Sequence, residues 1–220
     1  MFKGKVVVFA LMLMFATSVY AGDVNDCYSD AGLSCTLMQI SICPAGDFEF
    51  IRTACGGTAD YIWITAMDSS NQPISGIPWS DYWLNACDPT HQLCLCSQPI
   101  QADSLTGANG RTTFSTRIAG GGCTLSQGIW WAIQGKSIKA KPACQVNLCL
   151  NVIIKGPDIN GPGGNPDCLI NLSDLTPFGV SYNKNQGQAG FNACCDYNDD
   201  THCNLSDFGF FGTHYQHRCL

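Results

Sequence analysis

A chain of 220 residues with 45% hydrophobic and only 13% charged residues carries enough apolar material to bury a globular core. A formal charge of −6 leaves no basic face for phosphate, which argues against nucleic acid as a partner. Fifteen cysteines exclude an ordinary life in a reducing cytosol.

The first element is MFKGKVVVFALMLMFATSVYAG: two lysines, an apolar run from Val6 to Ala16, then small residues with Val19 and Ala21 placed like a cleavage site. This predicts a secretory signal peptide over 1–21, cleaved after Ala21. The run is shorter than the roughly 20 residues of a membrane span, and no later stretch approaches that length. Losing Lys3 and Lys5 with the leader takes the formal charge from −6 to −8. An exported chain, extracellular or at a cell surface, is expected, and its cysteines read as a disulfide framework. Their odd number leaves at least one thiol unpaired or bonded to a second chain. Adjacent Cys194 and Cys195 are not expected to bridge each other, because a disulfide wants Cα atoms about 5.5 Å apart with suitable Cβ directions.

From 22 to 155 the pattern is short runs of β-branched and aromatic residues: YIWITAM (61–67), GRTTFSTRI (110–118), GIWWAIQG (128–135) and LCLNVIIK (148–155). Turn signals lie between them at DSSNQP (68–73), TGANG (106–110) and AGGG (119–122). Short strands at this spacing, with no helical period, predict a disulfide-rich antiparallel β-sandwich. The stretches ITAMDSSNQPISGIPWSDYWL and ADSLTGANGRTTFST resemble bacterial Ig-like and transthyretin-like modules, a likeness of turn chemistry that bears on fold and hardly on function.

At KGPDINGPGGNPDC the strand pattern stops, so a boundary is placed near Gly156. Seven of the 17 acidic residues lie between Asp158 and Asp207. The region repeats itself: NLSDLTPFGVSY (171–182) aligns with NLSDFGFFGTHY (204–215) at a period of 33 residues. Before the second copy, Asp196, Asn198 and Asp200 fall at positions 1, 3 and 5 of a loop. Asn204 falls at 9, Asp207 at 12, and the main-chain carbonyl of His202 at 7. Oxygens at alternate residues of a curled loop face one centre, which is the ligand spacing of a calcium loop. In the first copy Asp158 and Asn160 precede five extra residues, Pro162 to Pro166, after which Asp167, Asn171 and Asp174 resume at 5, 9 and 12. Two competing readings remain. The Asx residues can make turns only, and Asn171-Leu-Ser173 and Asn204-Leu-Ser206 are also glycosylation sequons.

This tandem array resembles the dockerin family over 156–220: two EF-hand-like halves, each a calcium loop followed by one helix. The resemblance implies two Ca2+ ions and Asp at position 12, as in Asp174 and Asp207. It also implies a partner-facing surface beginning at positions 10 and 11, here Leu172-Ser173 and Leu205-Ser206, for a cohesin-like or other extracellular module. Cys168 and Thr201 stand where the family has glycine at position 6. Short helices are expected over 173–182 and 206–215, with Pro177 in a first turn. Their stripes Leu175, Phe178, Tyr182 and Phe208, Phe211, Tyr215 should meet as a small core.

Three other constellations are weaker. His91-x-x-Cys94-x-Cys96 and His214-x-x-His217-x-Cys219 have zinc-like spacing, but exported cysteines are expected oxidised. Beyond the leader there is one glutamate, Glu49, and no nucleophile motif, so no enzyme is expected, although Asp60 and Asp103 could meet in space. Trp63, Trp79, Trp83, Trp130 and Trp131 are expected mostly in the core, with an exposed one able to stack on a polysaccharide.

Overall fold

A computed structural model describes residues 22–34, 38–46, 51–53, 61–87, 92–96, 102–115, 118–126, 128–138 and 149–219. The expected leader, Glu49, Asp60 and His91 lie outside them. Among the described residues eleven strands precede the acidic region, most of them from the β-branched and aromatic runs: β1 (Asp30–Leu33), β2 (Met38–Ser41), β3 (Ile51–Thr53), β4 (Ile62–Thr65), β5 (Tyr82–Ala86), β6 (Leu93–Leu95), β7 (Arg111–Phe114), β8 (Gly120–Thr124), β9 (Ile129–Ile133), β10 (Lys136–Ile138) and β11 (Ile153–Lys155). They assemble into sheets ordered β1-β4-β7, β10-β9-β5 and β3-β2-β11-β8-β6. All three contribute to one apolar core. At its centre Phe114 stacks on Trp131 at 3.9 Å and meets Tyr82 edge-on at 5.3 Å.

The expectation of an antiparallel sandwich is corrected around β2: β2 and β11 run parallel, and Cys43 beyond its end meets Ala119 in a parallel bridge. A parallel pair needs a long crossover, and the strands between these two supply it. Alternation along β2 then has an unusual outcome. Ile40 and Ile42 enter the apolar core, while Gln39, Ser41 and Cys43 alternate with them and are buried as well. On β11, Ile154 joins the core and its neighbour Lys155 is also buried. The sheet is therefore covered on both faces, the second by the C-terminal third of the chain.

That cover explains a second correction. AGGG, expected as a turn, is mostly strand: Gly120–Gly122 open β8, buried between β6 and β11. Side chains are excluded for two reasons: a Cβ at Gly121 would collide with the Asp158 carboxylate of the acidic region, and a Cβ at Gly120 or Gly122 would run into the main-chain oxygens of Cys94 or Gln92 beside it. Gly121→Ala is expected to destabilise the protein by about 1–3 kcal/mol through overpacking, seen as a lower urea midpoint.

The repeat folds as two helices, α1 (Leu172–Ser181) and α2 (Leu205–His214), with a two-residue ladder of β12 (Lys184–Asn185) and β13 (His202–Cys203). Both helices begin one residue before the expected start, since Asn171 and Asn204 act as N-caps. Pro177 is thus the sixth residue of α1, beyond the first turn. Its missing N–H would leave the Ser173 carbonyl open, and the Asn160 side-chain amide donates to that oxygen instead at 2.8 Å. The halves are related by their 33-residue offset: Asn183 N–H donates to Cys203 O at 2.7 Å, and Gln216 N–H to Ile170 O at 2.8 Å.

A second core gathers Phe178, Phe211, Tyr197, Ile170, Cys195 and Cys203 with Cys43 from the end of β2. The two helical stripes meet through Phe178, which stacks with Phe211 at 6.2 Å and meets Phe208 at a tilt at 5.8 Å. Leu175 packs at the margin, whereas Tyr182, Phe208 and Tyr215 stay exposed. Disulfides Cys94–Cys168, Cys96–Cys219 and Cys123–Cys194 cross the boundary near Gly156, and Cys87–Cys149 closes the β region. Cys194 bridges to Cys123 and not to its neighbour Cys195. Among the described residues no helix is long and apolar enough to cross a membrane.

Candidate metal centre

In the second loop, Asp196 lies at the end of a 3-10 turn and accepts from the main chain ahead of it: Asp200 N–H to Oδ1 and Thr201 N–H to Oδ2, both at 3.1 Å. Asp207, third residue of α2, closes the loop from the other end. Its Oδ1 accepts from Tyr197 and Asn198 N–H at 2.8 and 3.3 Å, and its Oδ2 from Asn204 N–H at 2.9 Å. Asn204 completes a capping box by accepting from Ser206 N–H at 2.7 Å. Asp200 receives the amide nitrogens of Asn198 and Asn204 at 2.9 and 3.3 Å. One oxygen from each of Asp196, Asp200 and Asp207 falls within 4.8 Å of the others. His202 lies on β13, with its ring turned to the Asp200 carbonyl at 2.7 Å.

The first loop reproduces this pattern despite its insertion. Asp158 accepts from Asp167 and Cys168 N–H at 3.1 and 2.7 Å. Asp174 accepts from Ile159, Asn160 and Asn171 N–H at 2.7, 2.8 and 2.8 Å. Asn171 caps α1 through Ser173 N–H at 2.7 Å. The five extra residues leave the ring as an exposed 3-10 turn, Pro162–Gly164, so Asp158 and Asp167 still meet across them. Cys168 and Thr201, at position 6, adopt φ of +62° and +71°, the left-handed conformation for which glycine is suited. Asp158, Asp167 and Asp174 do not form the tight carboxylate triad of the second loop.

Four of these acids, Asp158, Asp174, Asp196 and Asp207, are almost wholly buried. Burial pushes Asp158 up to about 7; hydrogen bonds from the Asp167 and Cys168 N–H groups pull down and the nearby Asp174 charge pushes up. Burial likewise raises Asp174, Asp196 and Asp207. For each, the folded protein without calcium holds its proton to higher pH than the unfolded chain, whose aspartates titrate near about 3.9. Stability then falls as pH rises from about 4 toward 7. With chelator present, the urea midpoint is expected to be higher at pH 5 than at pH 7.5. Calcium should reverse the trend, because the ion binds the ionised carboxylates.

Among the described residues one cation reaches this ring, and its sequence position gave no hint of it. Lys155 of β11, 2% exposed, donates to Asp196 O at 2.6 Å and Asp199 Oδ1 at 2.9 Å, with Asp196 Oδ2 at 4.0 Å. Gln39 Nε2 similarly donates to Tyr197 O at 3.3 Å. The second loop thus rests on polar side chains of β2 and β11.

The other constellations separate. Cys94, Cys96 and Cys219 are all disulfide-bonded, so neither zinc-like spacing survives as drawn. Asp103 spends its carboxylate on Thr113 and Ser115. Only Trp131 of the five tryptophans is fully buried; Trp63 lies under Arg111 at 4.3 Å, and Trp79 and Trp83 are 43% and 51% exposed. The expectation that most would be core is corrected. Trp83 lies on the edge strand β5 and Trp79 in a 3-10 turn, whereas Trp63 and Trp130 sit on the central strands β4 and β9 and are half covered.

No protein-family model matches the chain, and no curated protein matches it. Two solved structures of a type II cohesin–X–dockerin complex from Acetivibrio cellulolyticus, one an N-terminal and the other a C-terminal interface mutant, are similar over 86% of this chain and 96% of theirs. Identity is 16% and the TM-score 0.29 in each.

Proposed function

We propose that this chain is an exported, non-catalytic calcium-binding protein whose C-terminal region, 156–220, is dockerin-like and attaches a β-rich module, 22–155, to an extracellular or cell-surface partner. The observation that carries this is the duplicated ring. Two loops of different length present aspartates at positions 1, 5 and 12 and asparagines at 3 and 9, with matching main-chain bonds to the aspartates at 1 and 12. Buried carboxylates brought together this way repel unless a cation joins them, and all-oxygen donors suit Ca2+. Asp196, Asn198, Asp200, Asn204, Asp207 and the His202 carbonyl would hold one ion. Asp158, Asn160, Asp167, Asn171 and Asp174 would hold the other, with the two capping asparagines acting through water.

The docking surface is read from symmetry. Leu172 and Leu205 occupy equivalent positions and are 66% and 69% exposed, beside Ser173 and Ser206. Exposed leucines at matching points of two related helices suit a protein module of the cohesin kind. Calcium titration of the full disulfide-bonded chain by calorimetry is expected to show two binding events; absence of both would overturn the reading. Cohesin modules should then bind in calcium and release in chelator, with Leu172→Asp and Leu205→Asp together reducing affinity by at least about tenfold.

A second reading has one observation in its favour. Trp83 and Trp130 lie on one face of the β10-β9-β5 sheet, since β5 pairs Trp83 with Ala132 and Asn85 with Trp130. Such a platform can stack on sugar rings. Binding to a polysaccharide panel that is lost in Trp83→Ala would favour this reading, with calcium then purely structural.

A further inference from the structure

At the far end of α2 from the second loop, about 14 Å away along the helix, three ligand side chains converge. Cys43 supplies a buried thiol, His214 is the last residue of α2 and is 7% exposed, and His217 follows, partly exposed. His217 Nδ1 lies 3.4 Å from Cys43 Sγ and 3.3 Å from His214 Nδ1, and all three donor atoms fall within 4.8 Å of one another. We propose that Cys43, His214 and His217 form a zinc site, chemically separate from the calcium loops, that clamps the end of β2 to the C-terminal segment.

The spacing carries the proposal. Tetrahedral zinc with Zn–N near 2.05 Å and Zn–S near 2.3 Å sets its donors about 3.3 Å apart for N···N and about 3.5 Å for N···S. The two measured edges match those values. The donor set matches as well: one thiolate and two imidazoles suit zinc, whereas calcium takes oxygen.

The three backbones are also held in place without an ion. The Cys43 carbonyl accepts from Gly46 and Gly120 N–H at 2.8 and 3.0 Å. His217 N–H donates to His214 O at 3.0 Å, and the His217 carbonyl accepts from Ile170 N–H at 2.9 Å. Ligands preset on fixed backbone lose little freedom on binding. The His214-x-x-His217 spacing visible in the sequence therefore does find a thiol, but it is Cys43 and not the disulfide-bonded Cys219.

Cobalt(II) is the probe, added to the full chain in excess calcium so that the oxygen loops are filled. One equivalent should produce a sulfur-to-cobalt charge-transfer band in the near ultraviolet, which carboxylate sites cannot give, and zinc should bleach it stoichiometrically. Cys43→Ser should abolish the band. His217→Gln, at a partly exposed position that folding tolerates better, should weaken zinc by more than about 100-fold, the upper end of what losing a mere supporting group costs. No band in the wild-type protein would overturn the proposal and reduce the trio to a hydrogen-bonded relay. A band that survives both substitutions would overturn it too, by placing the ion elsewhere.

Discussion

Asp207→Ala is expected to abolish calcium binding at the second loop and to destabilise the calcium-free protein by about 3–5 kcal/mol. Two roles of one side chain combine in that figure. Asp207 is the position-12 carboxylate, and it also accepts the N–H groups of Tyr197, Asn198 and Asn204. Removing it strands three donors, each costing about 1–3 kcal/mol if it stays buried. Asp207→Asn separates the roles. It keeps an acceptor oxygen and removes a charge whose ionisation burial opposes. The calcium-free protein should therefore lose far less stability, while calcium affinity still falls by more than about 100-fold for want of a carboxylate. Calorimetry with calcium and urea unfolding in chelator measure the two effects. Unchanged calcium affinity in Asp207→Asn would mean that the aspartate is only a helix cap.

Lys155→Ala is expected to cost about 3–5 kcal/mol in chelator, as when one partner of a buried ion pair is removed. The substitution leaves the Asp196 carbonyl without its 2.6 Å donor and the Asp196 carboxylate without a nearby cation. In saturating calcium the deficit should shrink, because the ion replaces the missing positive charge beside Asp196. The unfolding midpoint, measured with and without calcium, tests this directly. An equal deficit in both conditions would show that Lys155 acts through packing alone. Lys155→Met, which keeps the bulk of the stem, should recover part of the loss that packing contributes.

Much of the candidate site was legible because its signals are local. Asp196, Asn198 and Asp200 alternate within five residues, and Asn-Leu-Ser-Asp recurs 33 residues on. Main-chain geometry alone turns such spacing into a ring and a capped helix. The strands at 62–65, 111–114 and 129–133 were legible for the same reason, as their β-branched and aromatic runs state a local preference. The glycines of β8 misled because glycine reads as a turn wherever the partner that excludes its side chain is unknown. Here the partners are the Cys94 and Gln92 main-chain oxygens at Gly120 and Gly122 and, at Gly121, Asp158, distant in sequence and in contact only after the acidic region docks.

By itself, then, the sequence determined the β-rich character of 22–155, the duplicated acidic loops with their helices, and a chemistry dense in cysteine and oxygen. Each of these depends on residues a few positions apart. Only the tertiary structure decided that the two regions are fastened by Cys94–Cys168, Cys96–Cys219 and Cys123–Cys194, that Lys155 enters the second loop from a strand, and that Cys43 joins His214 and His217. Those pairings join residues 41 to 174 positions apart. No local spacing encodes them, because they arise only when the acidic region docks on the sheet of β2, β11, β8 and β6 and brings distant side chains into contact.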